Sequence, residues 1–316
     1  MNACRKTPVH RAIRSLFGVG CFIVLVSFLC PTSLKAQELE PRSLSNVPVG
    51  SNFFAFGWGH SWGNILLDSA LPVENLDAQL HVLSAGYVRA IDVFGLSGKI
   101  DVLIPFAAGD YHALVEGQEE SLSLNGLGDP RVRLSVNFFG APALHTDEYK
   151  NYHQKTIVGA SLQVILPLGQ YDSSEIINLG SNRFTFRTQI GVSHVVNKWF
   201  LEAHTGFWFF SKNPDYYGGN EFTQKPLYII KLHAIRSLPR GMWIAGGVAY
   251  GVGGQVYVNG VFRNIRISNI RLGATFALPL AEHHTIKATF RSGIRFERGG
   301  DFDSVALIYQ YFWGGL

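Results

Sequence analysis

The sequence predicts an all-β protein: a transmembrane antiparallel up-and-down β-barrel of about twelve strands, following a cleaved N-terminal signal peptide. Three observations lead there. The chain opens on an export signal, several later segments alternate apolar and polar side chains over the length of a membrane-crossing strand, and the joints between those segments alternate between long and short.

The signal comes first. Arg5, Lys6, Arg11 and Arg14 precede an uncharged apolar run from Leu16 to Cys30, and Pro31-Thr32-Ser33-Leu34-Lys35-Ala36 follows it. The run of 15 residues is shorter than the ~20 that a spanning helix needs, so residues 1–36 are expected to be a signal peptide cleaved after Ala36. Phe28, Leu29 and Pro31 around Cys30 do not suit a lipidation site. All three cysteines, Cys4, Cys21 and Cys30, lie in the signal, so the mature chain is expected to carry no disulfide. Five basic residues leave with it. The rest has 22 Lys and Arg against 23 Asp and Glu, and the basic isoelectric point therefore gives no support for nucleic-acid binding.

Length would allow one large domain or two ordinary ones. The 34 glycines, 13% aromatic residues and 16% charged residues fit a membrane barrel better than a soluble α/β enzyme. No linker or low-complexity tract divides the chain. The expected domains are the signal 1–36, a periplasmic N-terminal segment 37–50 and an outer-membrane barrel 51–316.

Alternation is clean in three places. Val132, Leu134, Val136 and Phe138 alternate with Arg131, Arg133, Ser135 and Asn137. Phe184, Phe186, Ile190 and Val192 alternate with Arg183, Thr185, Arg187, Gln189, Gly191 and Ser193, with Thr188 the one polar residue on the apolar side. Ile286, Ala288, Phe290, Ile294 and Phe296 face away from Lys287, Thr289, Arg291, Gly293 and Arg295. In a barrel wall one of these faces meets lipid and the other the lumen.

A soluble sandwich also alternates, and the joints separate the two. Strands are expected over 51–60, 77–90, 98–108, 128–139, 154–168, 182–196, 199–211, 226–237, 242–252, 266–280, 284–297 and 303–313. The joints 61–76, 109–127, 169–181, 212–225 and 253–265 are long, and those at 94–97, 197–198, 238–241 and 281–283 are tight. Long outer loops and short periplasmic turns are the pattern of an outer-membrane barrel. Two joints depart from it: 140–153 is long where a turn is due, and 298–302 is short where a loop is due. An even count puts both ends on the periplasmic side, and Val305, Leu307, Tyr309, Tyr311 and Trp313 form the apolar face of a closing strand.

Several peptides resemble a family of outer-membrane proteins named for the meta-cleavage pathway of phenol degradation and described as transporters. They are Glu38-Leu39-Glu40-Pro41-Arg42-Ser43 with Pro48-Val49-Gly50, Gly126-Leu127-Gly128-Asp129-Pro130-Arg131-Val132-Arg133, Pro167-Leu168-Gly169-Gln170-Tyr171, Asn178-Leu179-Gly180-Ser181-Asn182-Arg183 and Gly300-Asp301-Phe302-Asp303. The resemblance runs the mature length and implies a link to the uptake of aromatic compounds.

Candidate functional residues follow from the face assigned to the lumen. It carries Lys99, Asp101, Arg131, Arg133, Arg183, Arg187, Glu202, His204, Lys231, His233, Arg271, Lys287, Arg291 and Arg295. Charges facing lipid at mid-depth would cost roughly 2–4 kcal/mol each for Arg or Lys. One reading is a positively biased pore for anions, selected by Arg131, Arg133, Arg183, Arg187, Arg271, Lys287, Arg291 and Arg295. The other is that the arginines pair with carboxylates and brace or plug the barrel.

Tyr216, Tyr217 and Phe222, expected in a loop, are candidate ligand contacts. The aromatics at 53–58 and 207–210 are read mostly as interface girdles. Gly126-Leu127-Gly128-Asp129-Pro130 lacks the Lys-Ser/Thr of a phosphate loop and is read as a rigid strand entry. Asp301 and Asp303 could bind a cation with Asp129, but turn capping or pairing with Arg298 is favoured. His204 and His233 on adjacent strands have no third ligand of fixed spacing, so no metal and no cofactor are expected. Ser193 and His204 lack a third catalytic member.

The sequence thus predicts an outer-membrane channel or transporter for small solutes, with aromatic or anionic compounds as candidates. A structural or plugged barrel is one alternative and an outer-membrane hydrolase another. The expected partners are outer-membrane lipids and, during biogenesis, the barrel-assembly machinery.

Overall fold

The computed structural model describes residues 39–66, 73–115, 118–175, 178–263, 266–295 and 299–315. The expected signal peptide lies outside them. Among the described residues seventeen strands are formed: β1 (Ser51–Leu66), β2 (Val73–Val93), β3 (Leu96–Val115), β4 (Gln118–Leu127), β5 (Arg131–Phe139), β6 (Thr156–Ile165), β7 (Thr185–Val196), β8 (Trp199–Phe210), β9 (Asn213–Tyr216), β10 (Asn220–Gln224), β11 (Leu227–Ser237), β12 (Trp243–Gly253), β13 (Val256–Val258), β14 (Val261–Phe262), β15 (Ile267–Ala281), β16 (His284–Arg295) and β17 (Gly299–Gly314).

Thirteen of them make one sheet that closes on itself. Its order runs from β2 through β1, β17, β16, β15, β12, β11, β8, β7, β6 and β5 to β3, and β3 pairs back onto β2. β4 occupies the same place in the wall as β5, because β4 pairs with Phe106–Val115 of β3 and β5 with Gly98–Leu103. The wall therefore has twelve positions, all antiparallel, and closure leaves no strand edge in the membrane. The first and last strands zip over their whole length, Ser51 opposite Gly314 and Leu66 opposite Gly299.

Period-two alternation sets which side chain goes where. Along β7, Thr185, Arg187, Gly191 and Ser193 are buried while Phe186, Ile190, Val192 and Val196 are exposed. The exposed apolar face continues around the ring through Leu134, Phe207, Leu232, Phe276 and Leu307. At one end Tyr87, Tyr311 and Trp313 pack ring to ring, with centroids 5.5 and 6.1 Å apart at Trp313. His284 Nδ1 lies 2.6 Å from the Tyr309 hydroxyl in the same belt, as an aromatic girdle requires.

Tight turns gather at that end. Phe94 and Gly95, both at positive φ (54° and 83°), turn β2 into β3, the conformation of a two-residue hairpin whose twist matches its strands. The exception is 140–155, which is long and contains a single helical turn, α1 (Thr146–Tyr149). At the loop end, β9, β10, β13 and β14 form a second, four-stranded sheet.

Two expected loops are largely strand. Residues 109–115 and 118–127 extend the wall as a β3–β4 ribbon, and β1 and β2 run on to Leu66 and from Val73. Beyond the lipid the ladder needs no apolar face, so polar residues such as Asp110 and Ser123, hydrogen bonded at 2.6 Å, continue the strands. The strand expected at 128–139 starts at Arg131, since Pro130 cannot donate to the ladder.

Candidate functional site

The inner face of the wall is packed with polar side chains. Gln163, Arg183, Arg187, Glu202, His204, Lys231, His233, Asn269 and Arg271 are all buried. In a low-dielectric interior such groups must find partners, and many of the partners come from the chain N-terminal to β1.

Residues 39–50, within the expected periplasmic N-terminal segment 37–50, run along the inside of the wall at the turn end. Leu39 and Leu44 are buried and lie over Gly273 of β15 and Gly159 of β6, where a Cβ would come within 2.7 and 3.0 Å of them. Lys99 Nζ donates to the Ser43 and Ser45 carbonyls at 2.7 and 3.1 Å, and Asn137 Nδ2 donates to the Leu44 carbonyl at 3.1 Å. The main chain of the segment is thus held by side chains of the wall, in the manner of a missing strand partner.

Its charges are placed as carefully. The Glu40 carboxylate accepts from Arg133, which also donates to Asp101 at 2.8 Å, and it lies 3.6 Å from Arg131. Burial works against ionising Glu40, but the combined charge of Arg133, Arg187, Arg131 and Lys231 outweighs it and holds the carboxyl well below the ordinary carboxylate range. Two residues on, the Arg42 N–H donates to Glu202 Oε2 at 3.0 Å. Its guanidinium lies 4.8 Å from the Phe200 ring centre and 5.8 Å from that of Trp243.

The irregularly long joint 140–155 closes this end from below. Its Leu144 carbonyl accepts from the Val49 N–H at 2.9 Å, its Pro142 carbonyl from Asn46 Nδ2 at 3.1 Å, and its Tyr149 hydroxyl donates to the Asn46 carbonyl at 2.9 Å. A short turn could not reach these atoms, which accounts for the departure from the turn pattern.

At the loop end, three peptides far apart in sequence meet around Asp129. Asp129 Oδ1 accepts from the Gly169 N–H at 3.0 Å, and Oδ2 accepts from the Ser181 N–H at 2.9 Å and the Ser181 hydroxyl at 2.5 Å. A side chain on Gly169 would come within 2.8 Å of the Asp129 backbone. Gly180 donates to the Gln170 carbonyl, and Gln170 to the Leu127 carbonyl, both at 2.8 Å. Gly126–Arg133, Pro167–Tyr171 and Asn178–Arg183 therefore form one structural knot. Asp129 is committed to it; Asp303 stands on β17 opposite Trp62, and the Asp301 side chain lies outside the described residues.

Just inside the knot, Arg183 is buried between the rings of Phe210 and Phe222, 4.6 and 4.8 Å from their centres, and donates to Gln224 Oε1 at 2.7 Å. Tyr216 and Phe222 belong to β9 and β10 of the small sheet, their ring centres 4.9 Å apart. Phe222 is packed against Arg183, and both rings belong to strands and not to a loose loop. Tyr217 stands in the turn between β9 and β10, its carbonyl accepting from Asn220 Nδ2. Between the two ends, Arg187 donates to Gln189 Oε1 at 2.7 Å and stands 5.4 Å from the Trp208 ring centre.

The other expected lumen cations are distributed around the wall. Arg271 is buried on β15; Lys287 donates to Gln310 Oε1 at 2.6 Å; Arg291 faces inward on β16, and the Arg295 side chain lies outside the described residues. Ser193 Oγ accepts from Gln154 Nε2 at 3.1 Å and does not engage His204. Glu40, Arg42 and Trp208 were not legible as site residues. Trp208 sits in an aromatic run read mostly as girdle, yet it points inward into a cluster with Ile165, Leu227, Ile229 and Ile267.

Among solved structures, the chain is similar to the COG4313 outer membrane channel from Pseudomonas putida F1, with a TM-score of 0.74 and 18% identity, covering 87% of this chain and 100% of that one. It is also similar to the transport unit of the autotransporter AIDA-I from Escherichia coli, with a TM-score of 0.50 and 9% identity, covering 93% and 97%. At these identities the likeness establishes the fold, that of an outer-membrane β-barrel. No curated protein matches in sequence. A family model described as "Putative MetA-pathway of phenol degradation" matches residues 54–310, and the chain belongs to that family.

Proposed function

We propose that this protein is an outer-membrane channel for small solutes, anionic or aromatic, held shut in the structure described by its own N-terminal segment. The reading rests on one observation: the carboxylate of Glu40 sits inside the wall on Arg133 and beside Arg131. There Glu40 stands where the carboxylate of a solute would be drawn by the same cations. The family description and the channel named among the similar structures support transport. On this reading residues 1–36 are the export signal, the turn end faces the periplasm, the exposed apolar wall meets outer-membrane lipid, and the protein performs no catalysis. Arg131, Arg133, Arg183 and Arg187 brace the closed interior and become the selectivity-determining cations once the segment leaves.

Planar-bilayer recording tests this. The full mature chain should open rarely, whereas removal of residues 37–46 should raise open probability by roughly tenfold or more, as expected when a few kcal/mol of closure is lost. Reversal potentials in a salt gradient should favour anions, and replacing Arg131, Arg133, Arg183 and Arg187 with Gln should weaken that preference. The packed interior favours a second reading, a structural barrel without transport, and silence from both the mature and the shortened chain would establish it.

A further inference from the structure

Facing the lumen at the turn end, Glu202 and His204 of β8 stand beside His233 of β11, with Glu202 directly opposite His233 in the ladder. All three are buried, and one ligand atom from each lies within 4.8 Å of the others. The His204 and His233 ring centres are 5.9 Å apart and the planes cross at 77°, so the rings converge edge to face without stacking. Among the described residues Glu202 Oε1 and both ring nitrogens of His233 have no hydrogen-bond partner, and His204 Nε2 has only Glu202 Oε2, at 3.6 Å. Leaving one buried polar atom unsatisfied is already unfavourable, and here three of them share one pocket of the wall.

We infer that Glu202, His204 and His233 form a binding site for a divalent transition-metal ion such as Zn²⁺, Ni²⁺ or Co²⁺. Two imidazoles and a carboxylate suit borderline ions, and three protein ligands leave a fourth position open. The geometry is prepared by the neighbouring strands. His204 lies over Gly191 of β7 and His233 over Gly247 of β12, where a Cβ would come within 2.1 and 2.6 Å of the rings. Each ring is therefore laid in a slot between strands, and Glu202 is fixed by the Arg42 N–H on its other oxygen.

A tetrahedral ion brings its donor atoms to roughly 3.3–3.5 Å from one another at Zn–N and Zn–O bond lengths, so loading needs only a small inward rotation of the side chains. Gln189 Nε2 stands 3.2 Å from His204 Nδ1, so the ring nitrogen turned away from the Glu202–His233 pocket already has a neighbour that can either donate or accept. With an ion on Nε2, Nδ1 carries the ring proton and the Gln189 amide turns its oxygen to accept it. Lys231 beside His204 opposes a cation, and the Glu202 and Glu40 carboxylates offset it. The sequence did not show the site because its third ligand, Glu202, has no signature spacing to either histidine.

Titrating the tag-free, chelator-treated mature protein in detergent with Co²⁺ tests the assignment. One ion should bind per barrel, with the intense visible absorption of tetrahedral cobalt, and Zn²⁺ should bleach it. His204→Ala, His233→Ala and Glu202→Gln should each weaken binding tenfold or more, while His283→Ala/His284→Ala at the girdle should leave it unchanged. A gel-mobility shift on heating confirms that each variant is folded. Substoichiometric uptake by the parent protein, or unchanged binding in folded His204→Ala and His233→Ala, would overturn the site.

Discussion

On the proposed reading the two ends of this barrel are closed by different means. At the loop end the covering segments are tied to the wall by chain at both of their ends and pinned by Asp129, a buried carboxylate with three donors. At the turn end residues 39–50 lie inside the wall, held by ion pairs, by side chains of the wall that grip their carbonyls and by the joint 140–155. The first arrangement can open only by remodelling several loops. On the proposed reading the second can leave as a unit, which would put stability at one end and gating at the other.

Asp129→Ala should have the largest effect on stability. It removes an acceptor from three donors, two of them backbone N–H groups, and should cost about 3 kcal/mol, since each unsatisfied group costs ~1–3 kcal/mol. The midpoint of heat-induced gel mobility should fall while open probability in a bilayer stays near that of the parent protein. A large rise in conductance without loss of stability would show that the loop end gates as well, and would break the comparison.

Glu40→Gln comes next, at about 2 kcal/mol of segment docking, below the ~3–5 kcal/mol of breaking a fully buried pair because Arg133 keeps Asp101. Its pH dependence has a definite sign. Because the bound carboxyl titrates below its free value, its contribution is complete above the free value of ~4.3 and is lost as pH falls through the depressed one. The parent channel should therefore stay shut between pH 7 and 5 and open only in stronger acid, while Glu40→Gln should be more open at neutral pH and flat with pH through this range. Opening of the parent between pH 7 and 5, measured in bilayers, would place the latch on another group.

The smallest expected effect is that of Phe222→Leu. It removes one face of the aromatic sandwich around Arg183 and should cost no more than ~1 kcal/mol, the scale of a cation–π contact at a partly exposed site. The mobility assay should detect it only near the melting midpoint, with gating untouched. A gating effect larger than that of Glu40→Gln would move the latch to the loop end.

The sequence by itself determined the wall. Twelve crossings, the inward face of Arg131, Arg133 and Arg187 and the outward face of Phe186 or Leu307 all follow from a period of two, a local property that survives without knowledge of the partners. The strands past the lipid were missed because alternation stops when the second face meets water, although the hydrogen-bonded ladder continues.

Only the tertiary structure decided what fills the wall. Arg133 meets Glu40 from 93 residues away and Arg42 meets Glu202 from 160, and Glu202 completes its histidine pair by strand register. Circular closure brings such residues face to face across a low-dielectric interior, where buried charge must find a partner wherever the ring supplies one. No pattern within a single strand encodes which partner that will be.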